Sequence, residues 1–571
     1  MNKLKSVWKR FKIGIIAIAI LGGSFISYSF VNDNFFEISK NLDIFASVYR
    51  ELNIYYVDDA DPGKLMKKGI DAMLESLDPY TNYITEADIE DYRFMQTGQY
   101  GGIGATVRQK GEYQVITDPY EGWPAQKADL RAGDILLEVD GKSVKGKNTE
   151  EISKVLKGQA KTTIKLLIKR EGEQKPIEKT IMREEIKIKS VPYSGYLDKN
   201  TGYIKLTGFT QDAGKEVKDA FQSLKQKGDL KALVFDLRGN PGGLLNEAVN
   251  ICNLFVDKGQ EIVSTKGKVK DWEKDYKAVY EAVDAKIPIV ILVNRGSASA
   301  SEIVSGCLQD LDRAVILGQR SFGKGLVQTT RPISYNAQLK VTTAKYYIPS
   351  GRCIQALDYS HRNEDGSVGH VPDSLITPFK TVKSKRTVYN GGGIMPDIKM
   401  DAEKLSPITL SLSNKMLIFD YATQYSLKHP SIATPKEFQL TDADFSDFVS
   451  FISDKEYDYS TKSEAELKDL KEIATTEKYY DGAKAEFDAL KNKLTHNKAE
   501  DIQKNKNEIM LLLREEIVSR YYYQNGRIEA TLNGDPEIKR AIEVLNDENL
   551  YNSILAGTYK SPDDKPEMKK K

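Results

Sequence analysis

Between residues 187 and 400, short apolar runs rich in Val, Ile and Phe alternate with amphipathic stretches of helical period: GYIKLTGF, AGKEVKDAFQSLKQKG, KALVFDLRG, LLNEAVNICNLFV, IPIVILVN, ASEIVSGCLQDLD and RAVILG. Such a succession admits few architectures, because parallel strands need crossover connections and the crossover helices must cover the sheet. The segment is expected to form an α/β layered core. Any crevice for chemistry then lies at the turns leaving the strand ends.

Two of those turns stand out. The run IPIVILVN is too short to cross a membrane and reads as a buried strand. It leads into RGSASASEIVSG, Arg295 to Gly306, where Ile303, Val304, Cys307, Leu308 and Leu311 share one helical face. Ser297, Ser299 and Ser301 sit in the turn, near free backbone N–H groups and the positive helix end that favour a developing oxyanion. The G-x-S-x-G elbow pattern is absent and serines often cap helices, so the residues leave open which serine acts, if any. The second turn, in KALVFDLRGNPGGLL, carries Gly242 and Gly243. Their N–H groups meet a carbonyl oxygen without side-chain obstruction; a tight turn at positive φ explains the same glycines. Two such turns on neighbouring parallel strands converge at one crevice.

A base for a serine hydroxyl is scarce. The four histidines, His361, His370, His429 and His496, lie downstream of the strand and helix units and lack metal-ligand spacing. Lys324 in RAVILGQRSFGKGLVQ is the remaining candidate. A lysine accepts a proton only when neutral, which requires lowering its pKa by roughly three units, or about 4 kcal/mol. Burial without an acidic partner provides that, and no Asp or Glu occurs between Asp312 and the end of GLVQTTRPI. Gly318-x-x-x-x-Gly323-Lys324 matches most of a phosphate-binding loop. Gly325 replaces its Ser or Thr, and a β-like pattern follows where a helix is required.

DLRGNPGG, SASASEI followed by QDLDRAVILG, FGKGLVQ, KVTTAKYYIPSGRCIQ and GIMPDI occur in that order. With them, residues 35 to 400 resemble the carboxy-terminal processing, or tail-specific, serine proteases. That resemblance implies a multidomain α/β fold: a crotonase-like α/β protease core with an inserted PDZ domain, a helical N-terminal segment and a helical C-terminal extension. It makes Ser299 the nucleophile, Lys324 the general base and Gln328 the residue that positions the lysine. The oxyanion hole it implies is the N–H of Ala300 with one from Gly242 or Gly243. No metal or organic cofactor is implied.

Residues 96–186 read as a small strand-rich module, with QYGGIGATV, YQVITDPY, GDILLEVDGKSV and TTIKLLIKR around one helical segment, TEEISKVLKG. The module is similar to a PDZ domain. Gly101, Gly102, Ile103 and Gly104 are expected to form a nest of N–H groups for the C-terminal carboxylate of a protein or peptide substrate, beside a strand edge for β-augmentation. Ile103, Ile152, Val155 and Leu156 are expected to line the pocket for an apolar last side chain. Asp129 and Lys161 depart from the family, standing where it has glycine.

Charge narrows the partners. Lys plus Arg (83) nearly cancels Asp plus Glu (82), so no basic field draws the chain to nucleic acid. Three cysteines without C-x-x-C spacing argue against a disulfide framework or a zinc site. Lys3, Lys5, Lys9, Arg10 and Lys12 precede a charge-free run from Ile13 to Val31, long enough for a membrane helix. Ser27 and Ser29 have signal-peptidase spacing, yet Tyr28 and the length of the run favour an uncleaved anchor. The expectation is a single-pass protein of the cell inner membrane with its catalytic part on the periplasmic side. The expected domains are 1–31 (signal anchor), 32–95 (helical), 96–186 (PDZ), 187–404 (protease core) and 405–571 (helical extension with a disordered tail). The extension either pairs subunits in a homo-oligomer or packs within the chain, and an adaptor protein is a further candidate partner. A competing reading is a catalytically inactive, membrane-tethered PDZ scaffold that binds protein C-termini. An acyl-transferring or hydrating crotonase relative is a third, for which no CoA-binding feature is visible.

Overall fold

In the computed structural model, which describes residues 35–363, 367–402 and 404–559, the alternating segment builds a six-stranded sheet. Strands β1 (Tyr193–Tyr196), β2 (Thr201–Lys205), β3 (Ala232–Asp236), β4 (Ile289–Val293), β5 (Val315–Gly318) and β6 (Ile398–Lys399) lie side by side in that order. The first pair is antiparallel and every later pair is parallel. Helices α1 (Ala213–Lys227), α2 (Leu245–Asn253) and α3 (Ala300–Asp310) connect strands of the sheet.

The strands are apolar without alternation because both sheet faces are covered. On one face Leu233, Phe235, Ile289, Ile291 and Ile316 pack with Phe221 of α1, Ile251 of α2 and Val304 of α3. The residues between them, Val234, Val290, Leu292, Val315 and Leu317, face the other way. They meet Ile538, Ala541 and Val544 of α4 (Pro536–Asn546) and Tyr551 and Ile554 of α5 (Glu548–Leu555). The Tyr551 hydroxyl accepts from Ile289 N at 3.0 Å. Residues 536–555 therefore complete the layer on that face of the sheet. Each fully buried aliphatic side chain there contributes about 1.5–3 kcal/mol.

Strands Leu326–Pro332 and Gln338–Tyr347 form an antiparallel pair that continues to Glu261–Gly267. The strand-rich module is an antiparallel sheet in the order Ala105–Lys110, Tyr113–Pro119, Ile135–Val139, Thr163–Lys169 and Ile177–Met182, with a separate pair Gln99–Gly102 and Glu184–Lys187. Its helix Thr149–Leu156 starts at a capping box between Asn148 and Glu151, which satisfies two orphan N–H groups reciprocally. The two departures from the family pattern keep the backbone that glycine would take, with φ 55° at Asp129 and φ 69° at Lys161. Asp129 is held there by ion pairs to Arg131, Arg170 and Lys179.

Helices Pro407–Asn414, Leu417–Lys428, Asp442–Ile452 and Lys506–Leu532 share a core of Leu412, Tyr421, Phe448 and Ile517. The last of them is interrupted at Tyr523 (φ 55°, ψ −156°). There Gln126 Nε2 donates to the Tyr523 hydroxyl at 2.9 Å, and Arg527 pairs with Asp118 at 3.0 Å. The chain divides after Tyr83 into two units; the first contains a helix over residues 35–55 and another at Pro62–Glu75.

Among the described residues no helix is long and apolar enough to cross a membrane. That finding corrects the expectation of a single-pass inner-membrane protein with a periplasmic catalytic part: no described helix provides the span. The run 13–31 on which the expectation rested, and the tail expected to be disordered, lie outside the described residues.

Candidate active site

The fully buried strand β4 delivers the chain into the serine-rich turn, and the turn is bolted to the one after β3. Ser297 accepts from Asn294 N at 2.9 Å and donates its hydroxyl to Leu237 O at 2.8 Å; Ser301 donates to Asn240 O at 2.9 Å. Both serines are fully buried. Ala298 N adds a third bond to Asn240 O at 3.0 Å. Two of the three hydroxyls thus serve the architecture, and Ser299, between them, is only half-buried. Its backbone sits at φ 54°, ψ −112°, which costs a non-glycine residue on the order of 1–3 kcal/mol and persists only when the surroundings enforce it.

The glycine turn closes against that residue. A side chain at Gly242 (φ 97°) would put its Cβ 2.7 Å from Ala298 O and 2.9 Å from both Ala300 N and Ser299 Cβ. At Gly243 it would lie 2.4 Å from Phe209 O. The three candidate oxyanion donors differ: Gly242 N already donates to Asn240 Oδ1 at 2.9 Å, whereas the N–H groups of Gly243 and Ala300 meet no acceptor among the described residues.

One residue ties the serine turn to the lysine turn, and sequence reasoning missed it. Glu302, fully buried in the first turn of α3, accepts on Oε2 from Ser299 N (2.8 Å) and Lys324 N (2.9 Å). Its Oε1 accepts from the Ser321 hydroxyl (2.6 Å) and Gly323 N (2.7 Å). Burial pushes its carboxyl up to about 7 although all four donors favour the charged form. The expectation of a lysine turn without an acidic neighbour is therefore corrected. The acid comes from the serine helix rather than from the lysine's own stretch, and the Ser-x-x-Glu spacing of a capping box was its signal.

Lys324 is half-buried between β5 and the strand Leu326–Pro332. A strand follows it, where a phosphate-binding loop requires a helix. Gln328, also half-buried, donates through Nε2 to Thr342 Oγ1 at 3.1 Å. His429 and His496 lie with the C-terminal helices, stacked on Tyr425 and paired with Glu464 respectively.

In the strand-rich module Gly101 and Gly102 do not form a nest. They pair as a strand with Glu185 and Glu184; the turn proper is Ile103 and Gly104 (φ 75°). A cavity of about 250 Å³ lies between the strand Ala105–Lys110 and the helix Thr149–Leu156, lined by Phe94, Tyr100, Ile103, Val107, Ser153 and Leu156. Two expected lining residues are elsewhere. Ile152 belongs to the buried core of the module, and Val155 is exposed. Helical period explains both: Ser153 and Leu156 share the face that Thr149 begins, and Ile152 and Val155 fall beside it.

Comparison with known proteins follows the same division. The peptidase family S41 matches residues 200–360, a PDZ domain matches 115–170, and the family described as "Probable PDZ-protease, C-terminal helical domain" matches 408–545. A carboxy-terminal-processing protease of Bartonella bacilliformis is 38% identical over 350 residues, 60% of this chain and 80% of the relative. A "Probable CtpA-like serine protease" of Staphylococcus aureus is 39% identical over 416 residues, 71% of this chain and 80% of the relative. Among solved structures, the photosystem II D1 C-terminal processing protease is 27% identical, with a TM-score of 0.34 over 63% of this chain and 93% of its own. The PDZ domain of a carboxy-terminal protease from Vibrio cholerae in complex with peptide is 29% identical, with a TM-score of 0.15 over 16% of this chain and 99% of its own. The matched family models and the sequence relatives agree, and the chain belongs to the carboxy-terminal-processing serine proteases of peptidase family S41 and carries a PDZ domain.

Proposed function

We propose that this protease cleaves peptide bonds with a Ser299 and Lys324 dyad. The observation that carries the reading is the shared acceptor: the amides of both residues bind one oxygen of Glu302, while Ser297 and Ser301 hold the neighbouring turn. The Ser299 Oγ–H bond breaks as Oγ bonds the substrate carbonyl carbon, and the neutral Lys324 amine takes the proton. The carbonyl oxygen becomes an oxyanion that the N–H groups of Ala300 and Gly243 stabilise, each such donor being worth about 10²–10³ in rate. The C–N bond then breaks, Lys324 returns the proton to the leaving amine, and water hydrolyses the acyl-enzyme through the same base. Gln328 orients the lysine in this scheme.

The PDZ domain takes the C-terminal tail. Its cavity accepts the apolar last side chain, and the Ile103 and Gly104 turn faces the carboxylate. Functionally the boundaries 96–186 and 187–404 hold the tail site and the cutting site, and residues 536–555 serve the second. An inactive scaffold is not favoured. Incubating the protein with an unfolded substrate beside Ser299→Ala and Lys324→Ala tests the reading. Cleavage that both substitutions abolish, with circular dichroism unchanged, is expected; cleavage that survives either one overturns it.

A further inference from the structure

Arg238 joins the C-terminal helices to the glycine turn. It stands between Asp236, the fully buried last residue of β3, and Gly239, the first glycine of the turn. Its guanidinium binds Asp236 through Nε (3.0 Å) and one terminal nitrogen (2.7 Å), and its backbone N binds Asp236 Oδ1 at 2.9 Å. Tyr203 (2.7 Å) and Lys205 (3.1 Å) donate to the same carboxylate. The other terminal nitrogen of Arg238 reaches α4, where it meets Asp535 Oδ2 and Glu537 Oε2, both at 2.7 Å. Every side chain of this network is at most one-fifth exposed.

A network like this is expensive to bury, and apolar residues of similar volume often give equal or greater stability. Two charged residues from the far end of the chain therefore call for a role other than adhesion, and the position of Arg238 supplies one. The turn it anchors is held by Gly239 N to Asn294 Oδ1 (2.9 Å) and by Asn240 O to Ala298 N (3.0 Å) and the Ser301 hydroxyl (2.9 Å). Gly242 packs directly on Ser299. A shift of Arg238 passes through these bonds to the nucleophile.

We propose that Asp535 and Glu537 are positioning residues for hydrolysis: from α4 they hold Arg238, and through it the turn whose Gly242 packs on Ser299. The C-terminal helices thereby take part in the active site as well as covering the sheet. This inference rests on the Ser299 and Lys324 reading above.

The competing role is structural. Asp535 also caps α4, its Oδ1 accepting from Glu537 N (2.8 Å) and Ile538 N (3.1 Å). Asparagine caps as well as aspartate, so Asp535→Asn keeps the cap and removes the charge facing Arg238; Glu537→Gln keeps the shape. The test uses the full chain as wild type, Asp535→Asn/Glu537→Gln and Ser299→Ala. It measures kcat and KM on a fluorogenic peptide with a free apolar C-terminus, the rate of Ser299 labelling by a fluorophosphonate, and the thermal midpoint. Small misplacements remote from the chemistry cost up to about 100-fold. The double variant is expected to lose about 10- to 100-fold in both kcat and labelling rate, with KM within about twofold and the midpoint within about 4 °C. An unchanged kcat overturns the inference, and so does a kcat that falls only in step with the midpoint, which marks a structural role. Hydrolysis by Ser299→Ala at the wild-type rate instead overturns the dyad reading itself, a result separable from either of the others.

Discussion

Ser299 and Lys324 donate their backbone N–H groups to the same oxygen, Oε2 of Glu302, at 2.8 and 2.9 Å. A single buried carboxylate therefore fixes the distance between the serine turn after β4 and the lysine turn after β5. Replacing Glu302 by Gln keeps the volume but aims an NH₂ group at two of the four donors. Glu302→Gln is expected to lower kcat by about 100-fold with little change in KM, since the misplacement falls on the proposed nucleophile and base. Steady-state kinetics on a peptide substrate check this, and a kcat within twofold of wild type sinks it.

The same carboxyl links stability to pH. Burial raises it to about 7, above the ordinary value of about 4. An acid raised in the folded state contributes stability that is complete below pH of about 4 and lost as pH rises to about 7. The loss is on the order of 4 kcal/mol. Glu515, pushed up to about 7 by burial as well, acts with the same sign, so the wild-type slope alone is not diagnostic. Urea unfolding from pH 4.5 to 8 is expected to show wild type losing stability relative to Glu302→Gln across that window. Parallel curves count against the assignment.

The three serines are expected to separate. Ser297→Ala and Ser301→Ala each leave a buried partner short of a hydrogen bond, which costs about 1–3 kcal/mol, and both retain measurable hydrolysis. Ser299→Ala keeps the melting temperature and loses hydrolysis. Melting curves beside product analysis by mass spectrometry decide, and a dead but fully stable Ser297→Ala contradicts the ordering.

Gly242→Ala tests the close approach of the glycine turn. The added Cβ meets Ala298 O at 2.7 Å at a φ of 97°, so the backbone must move. A loss of about 1–3 kcal/mol is expected, together with a fall in fluorophosphonate labelling of Ser299. Wild-type labelling places the turn outside the site.

Tail recognition is expected to depend on the cavity rather than on the helix side beside it. Leu156→Asp puts a charge into an apolar pocket wall and should weaken binding of a fluorescent peptide with a free apolar C-terminus by tenfold or more, roughly the 1.4 kcal/mol of a misplaced polar group. Val155→Asp, on the exposed side, should not. Fluorescence anisotropy of the two variants checks the pair, and equal effects argue against this pocket.

Much of this was legible in sequence because it rests on local rules. Continuous apolar runs such as IVILV announce a sheet covered on both faces, and the alternation with helical runs announces parallel pairing. The membrane expectation fails among the described residues, and residues 536–555 reveal nothing in sequence of the sheet they cover, since an amphipathic helix does not name its partner. The pocket readings at Ile152 and Val155 miss by one residue of helical phase, and the nest reading at Gly101 and Gly102 misses a strand pairing across the module. A charge census confined to the lysine's own stretch also misses Glu302, because hydrogen bonds between turns ignore chain distance.

By itself the sequence determined the layered core, the two strand-end turns with their glycines and serines, and the lysine that follows β5, since periodicity and turn chemistry act over a few residues. Only the tertiary structure decided which serine hydroxyls hold the scaffold, which glycine amide is already bonded, and that one glutamate joins the serine and lysine turns while α4 grips Arg238. Those outcomes depend on which buried donors and acceptors meet once distant segments pack, and a buried polar group must find its partner wherever in the chain that partner lies.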